Sequence, residues 1–216
     1  MVPLSPKRVS EKRFDFPGQL RKGAPMSAAA RPSHSRDEIV RKLFDLFRHR
    51  GFEGAALSDI SEATGLGRSS LYHHFPGGKD EMVSAVADFA HSQIEANILA
   101  PLAGDTPLAE RVDAMLQTTS EMYDCGREPC LVASLMVSPG LAPESAGKVQ
   151  AILKDWIAAL AAALEGAGIP AAEAKRRATA AIIDIQGALL VARASADTGV
   201  FTGAMETARR NLLAPA

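Results

Sequence analysis

The groups in this sequence best able to grip an anion or read a base edge crowd into one short stretch: Ser58, then Arg68, Ser69, Tyr72, His73, His74 and Lys79. Arg68 carries the planar guanidinium that can pair with guanine through two parallel hydrogen bonds. The same group can clamp a phosphate instead, and its type alone leaves both roles open. The adjacent His73 and His74 invite a metal reading, but successive side chains on a helix point about 100° apart and cannot share an ion. Cys125 and Cys130 have no further Cys pair or His beside them, so a zinc site would lack two ligands. They are expected to be two buried, reduced thiols. A redox role for Cys130 would need a basic neighbour, and Arg127 is the one nearby in sequence. No P-loop, GxGxxG, GxSxG or HExxH pattern occurs, which speaks against an enzyme, and no catalytic residue, metal or cofactor is implied.

The anion-holding groups need helices to position them, and the local pattern supplies three. Ser35 with Asp37 and Glu38 marks a helix N-terminus, where the macrodipole favours negative charge. Ile39, Leu43, Phe44, Leu46 and Phe47 follow at helical spacing, and Arg48 and Arg50 precede Gly51 as a C-terminal stop. This first helix is expected over 36–50. Ser58 is expected to cap a helix of about two turns, with Ile60 and Ala63 inward and Ser61 and Glu62 exposed. Gly65 and Gly67 bracket Leu66 in a tight turn. A second short helix over 68–75 places Leu71 and Phe75 one turn apart on its buried side, and Pro76 stops it. Two short helices across a glycine turn, backed by a packed third, make a helix-turn-helix. Its second helix would offer Arg68, Ser69 and His73 to base edges, with Gly67 allowing close approach. Free N–H groups at Gly78, where a fourth helix begins, and the Lys79 ammonium would converge on one phosphate. The start of the second helix at Ser58 would do likewise.

The remainder is long enough for a core, and its composition favours helices. Of the 216 residues 47% are hydrophobic and 23% charged, and Ala dominates the second half, where it costs no side-chain entropy in a helix. Helical segments are expected over 79–99, 106–124, 130–137, 143–166, 171–196 and 200–212. No period-two run long enough for a sheet and no fixed-period repeat is found. The fold class is therefore all-α, with a three-helix head over 35–80 and a six-helix body over 81–216. The net charge of −1 confines any nucleic-acid contact to a local face. Residues 1–34, basic and rich in proline, are expected to be a disordered arm, and Met26 is an alternative start. No segment resembles a signal peptide, membrane span or lipid anchor, so no membrane contact and a cytoplasmic location are expected.

The run Leu71-Tyr72-His73-His74-Phe75-Pro76-Gly77-Gly78-Lys79 resembles the recognition helix and following turn of the TetR family of one-component regulators. Ala63-x-Gly65-Leu66-Gly67 and the helix ending at Gly51-Phe52 fit the same pattern, over about residues 36–85. More weakly, Cys130-Leu131-Val132-Ala133-Ser134-Leu135 and Gln186-Gly187-Ala188-Leu189-Leu190-Val191-Ala192-Arg193 resemble the LmrA/YxaF-type branch. The resemblance implies a DNA-binding repressor whose partners are double-stranded DNA with a palindromic operator, a small effector, and a second copy of the chain. In that branch the regulated genes concern efflux or drug resistance. The resemblance also makes Tyr72 and His74 phosphate contacts. An activator role, and a helical adaptor that retains the head without sequence-specific binding, stay open.

In the body, Met115, Leu116, Thr119, Met122 and Tyr123 fall on one face, as do Ile152, Trp156, Leu160 and Leu164. Such stripes are ordinarily core, but the family places its effector cavity between these helices. Met115, Thr119, Tyr123 and Trp156 are accordingly the expected ligand wall, with Gln186 beside it or on the dimer seam. The last two helices are rich in small residues, and Ile183, Gly187, Leu190, Val191 and Phe201 would form an apolar face needing a cover. The family's twofold four-helix seam would supply it. The fourth helix is expected to be the only rigid link from pocket to DNA.

Overall fold

Ser35 opens the first helix as its type predicts, its hydroxyl accepting the Glu38 N–H at 3.2 Å. From there the computed structural model describes residues 35–215; the arm expected over 1–34 lies outside the described residues. Helix α1 (Arg36–Gly54) buries Ile39, Leu43, Phe47 and Phe52. It does not stop at residue 50. Gly51 breaks the helical path with φ 67° and ψ −173°, and a further turn follows to Gly54. That conformation is open to glycine alone, and a Cβ there would stand 2.8 Å from the Ser134 carbonyl oxygen.

Helix α2 (Leu57–Thr64) begins two residues earlier than a cap at Ser58 would place it. Ser58 is therefore not the cap: it already lies inside the first turn, exposed. The Asp59 carboxylate closes this end by accepting the Ala56 N–H at 2.9 Å, and it also pairs with Arg50 at 2.7 Å. Ile60 and Thr64, one turn apart, form its buried side, while Ala63, expected inward, is exposed. Gly65 takes the left-handed conformation that ends α2, and α3 (Arg68–His74) follows.

Helix α4 (Gly78–Ile94) continues through a π-helical turn, Glu95–Leu99, and a short α turn, Ala100–Leu102. The chain then forms α5 (Leu108–Met122), α6 (Leu131–Met136), α7 (Pro143–Gly166), α8 (Ala171–Ser195) and α9 (Gly199–Leu212). Among the described residues the fold is all-α, with three helices in the head and six in the body. Helix α4 packs between α1 and α7, α7 against α8, and α8 against α9; α6 bridges α1 and α7. One core runs without a break from Ile39 in α1 to Leu212 in α9. By length and composition α8 could cross a membrane, but its inner face, from Ala174 to Ala192, is packed inside the protein. The two thiols are not alike: Cys130 is buried, whereas Cys125, expected to be buried, is exposed in a turn where it has φ 54°.

Candidate functional site

Helix α3 is only seven residues long and depends on its neighbours for stability, since isolated helices of that length do not form. Leu71 and Phe75, both with no exposed surface, fasten it to the head. The Arg36 guanidinium covers the Phe75 ring at 4.9 Å and pairs with Glu81 at 3.0 Å. The opposite face carries Arg68, Ser69, Tyr72 and His73, all exposed, with His74 half-buried at its edge. Ser70, which sequence reasoning passed over, is exposed with them. A Cβ at Gly67 would meet nothing within 4 Å, so another molecule can approach the start of α3 closely. Polar and cationic groups thus stand together on one convex edge, the shape that enters a major groove.

The start of α4 adjoins this edge. The Tyr72 ring lies against Gly78, where a Cβ would stand 3.6 Å from its Cε1 and φ is +68°. The expected convergence of free N–H groups at the start of α4 loses the one at Gly78. Glu81 accepts the Gly77 N–H at 2.8 Å and the Phe75 carbonyl accepts that of Gly78 at 2.9 Å, so neither is free for a phosphate. Lys79 rests its ammonium over the Phe52 ring at 4.4 Å, a cation–π contact that holds the charge beside Tyr72's neighbour Gly78.

A second site lies where α1 meets the body: a small cleft of about 40 Å³, partly open to solvent. Of the expected ligand wall, Tyr123 lines it. Met115, Thr119 and Trp156 do not: each is at most 1% exposed and faces the closed interior. The Thr119 hydroxyl donates to the Met115 carbonyl at 2.7 Å, and the Trp156 indole N–H points to the Met115 sulfur at 3.4 Å. Both polar handles are thereby satisfied within the core. The cleft wall is built instead from Phe44 and Arg48 of α1, Ala90 and Ile94 of α4, and the stretch Met122–Val132. Tyr123 donates its hydroxyl to the Cys130 sulfur at 3.5 Å, and burial, with that thiol beside it, pushes the phenol well above its ordinary pKa. It is a neutral donor at physiological pH. Gln186 is half-buried beside the Tyr123 hydroxyl and is not part of the cleft wall.

Arg48 was missed because its place before Gly51 suits an ordinary helix C-terminus. It is 5% exposed. Its Nε donates to the Pro129 carbonyl at 2.8 Å and a terminal nitrogen to that of Met122 at 3.2 Å. Glu128 stands 3.4 Å away. The available signal was its position one turn after Phe44, on the apolar side of α1.

The third surface is the outer face of α8. Ile183, Leu190 and Val191 are 63%, 72% and 50% exposed, with Gly187 exposed among them. Phe201, expected on this face, is 1% exposed. It points inward because α9 turns that side to the Asp124–Gly126 turn: the Tyr123 ring meets it edge-on at 6.4 Å, and a Cβ on Gly126 would stand 2.7 Å from its own Cβ.

Comparison with known proteins places these surfaces in context. Residues 39–86 match the model for bacterial regulatory proteins of the tetR family. Residues 109–207 match the C-terminal domain of LmrA/YxaF-like transcriptional regulators. An HTH-type transcriptional regulator of Mycobacterium tuberculosis, Rv0196, is 29% identical over 174 residues, 75% of this chain and 86% of that protein. The HTH-type transcriptional repressor AcnR of Corynebacterium glutamicum is 35% identical over 101 residues, 46% of this chain and 50% of that protein. In fold, a TetR transcriptional regulator from Legionella pneumophila superposes with a TM-score of 0.73 at 20% identity, over 86% of this chain and 98% of that one.

Proposed function

Given that this chain belongs to the TetR family of bacterial regulatory proteins, and is thus a transcriptional regulator with a DNA-binding helix-turn-helix, we propose that it is a dimeric repressor released from a palindromic operator by a small, largely apolar effector. The observation that carries this reading is the make-up of the cleft. Its wall is shared between α1 of the head and the body, so a molecule filling it bears on both at once. The bare stripe on α8 supports a twofold partner, whose symmetry would match two half-sites. Repression is the role named for AcnR, and the LmrA/YxaF-like body supports a place in the control of efflux or drug-resistance genes in the cytoplasm.

In this reading Arg68, Ser69 and His73 read bases, while Tyr72, His74 and Lys79 fix the head on phosphates. Ser58, exposed at the start of α2, would add a hydroxyl to the backbone contacts. Tyr123 would orient the effector, with Gln186 behind it holding the phenol. Release requires that the effector prefer a state whose two heads no longer match successive major grooves, since equal affinity for both states shifts nothing.

The experiment is a sequence selection from random duplexes, followed by sedimentation of the complex and a thermal-shift screen of apolar compounds. The expected outcome is a palindromic site bound by two chains and at least one compound that both raises the melting temperature and dissociates the complex. A non-palindromic site bound by one chain would overturn the dimer. Compounds that stabilise the protein yet leave DNA bound would overturn release.

A further inference from the structure

We propose that Arg48 is the positioning residue that couples occupation of the cleft to the DNA-binding head. The inference rests on the cleft being the effector site. Arg48 belongs to α1, the helix on which α2 and α3 are assembled, yet the acceptors of its guanidinium all belong to the body: the carbonyls of Met122 and Pro129 and the Glu128 carboxylate. Met122 and Pro129 are themselves part of the cleft wall, as is Arg48. A molecule that enlarges the cleft must push either the guanidinium or the segment holding its acceptors.

Neither can yield alone. A buried guanidinium stripped of its acceptors is costly in a low-dielectric site, so bonds that break on one side must be remade elsewhere or carry α1 along. The end of α1 is also fixed from behind, for the Ser134 hydroxyl donates to the Arg48 carbonyl at 2.7 Å and the Ser134 carbonyl closes on Gly51. The link therefore has a bonded and a displaced arrangement, with little between, which is the property a switch needs. It runs through α1, beside the route along α4 that the sequence suggests as the only one. Also near the guanidinium are the Phe44 ring at 5.8 Å, the Asp45 carboxylate and the Tyr123 phenol, and His49, which shares Glu128 at 3.1 Å.

The test uses the full chain carrying Cys125→Ser, which leaves Cys130 on the cleft wall as its thiol. Methyl, butyl and benzyl methanethiosulfonate tether groups of increasing size there, with labelling checked by mass spectrometry. Ala90→Trp fills the same cleft without chemistry. Operator affinity is read on the duplex selected by the unmodified protein, each variant being compared with its own unlabelled form. Benzyl tethering is expected to weaken binding about tenfold or more, within the usual range of allosteric coupling, and to speed amide exchange in α1 from Arg48 onward. In Arg48→Met the same tether should change affinity less than about twofold, and Arg48→Lys, which keeps one cationic donor, should retain part of the response. Should Arg48→Met respond as fully as the parent, the coupling does not pass through Arg48. Should Arg48→Met fail to fold, exchange in the parent decides: affinity that falls while α1 stays protected overturns the proposal. If neither a tether nor Ala90→Trp alters operator binding in the parent, the cleft is not the effector site and the proposal falls with it.

Discussion

Helices α3 and α8 both turn a bare face outward, and the two faces have opposite chemistry. The outer side of α3 carries Arg68, Ser69, Tyr72 and His73 over two fully buried anchors, Leu71 and Phe75. The outer side of α8 carries Ile183, Leu190 and Val191 over an inner face that is also apolar. A polar face is content in water until a partner arrives, so α3 can be exposed whenever DNA is absent. An exposed apolar stripe gains free energy from any cover, so α8 favours a standing partner. One surface suits an intermittent contact and the other a lasting one.

The sharpest way to break this contrast is to remove an anchor of α3. Leu71→Ala should cost about 2–5 kcal/mol, as large-to-small changes in a core do, and abolish operator binding; urea unfolding with a binding assay checks both. A mutant that unfolds at the parent's urea concentration yet binds no DNA would mean that Leu71 is not the anchor. On the other face, Ile183→Asp with Leu190→Asp should raise the dimer dissociation constant about a hundredfold, near 2.8 kcal/mol, while the helicity of the chain is kept. Sedimentation velocity against concentration reads this directly, and an unchanged dissociation constant would leave the stripe without a partner.

Within α3 itself the contrast can be refined. Arg68→Ala is expected to relax preference at one base pair per half-site, by about 1–3 kcal/mol. Tyr72→Phe and Lys79→Ala should weaken all sequences alike, the latter lowering the salt slope by about one counterion. Equal loss on every operator variant would make Arg68 a phosphate clamp. The smallest effect concerns the solvent-facing start of α8. Hydrogen bonds from Arg176 and then Arg177 hold the Glu173 carboxyl down from 4.5 to about 2. Its contribution to stability is thus full above its ordinary pKa and lost as the pH falls through about 2. The melting temperatures of the parent and Glu173→Gln should differ at neutral pH and converge toward pH 2.

The head was largely legible because its determinants are local. Gly65 ends α2, Leu71 and Phe75 are one turn apart, and Pro76 follows, so a window of about twenty residues contains the motif. Ser58 misled because Asp59, three residues after Ala56, competes for the same helix end and wins. The body was harder, since an apolar stripe has the same spacing whether it faces a core or a cavity. Met115, Thr119 and Trp156 obey that spacing yet face inward, and only the packing of α5 and α7 against their neighbours distinguishes them from Tyr123. Phe201 was readable in part: with Met205, Ala208 and Leu212 it forms the buried side of α9. Arg48 depends on a carbonyl 81 residues away; its place on the apolar side of α1 signals burial but not that partner.

The seat of Lys79 on the Phe52 ring has a thermal consequence. A lysine immobilised on a phosphate gives up rotamer freedom amounting to about 2 kcal/mol. Lying at 4.4 Å over the ring, this one has surrendered part of that freedom beforehand, so the entropy lost on the proposed phosphate contact would be smaller. Replacing Phe52 by Leu would release the side chain to wander, although Phe52 is itself 9% exposed. The charge would be unchanged and the salt slope with it. The cost would appear instead as a less favourable binding entropy, which calorimetry at several temperatures would separate from the enthalpy of the contact itself.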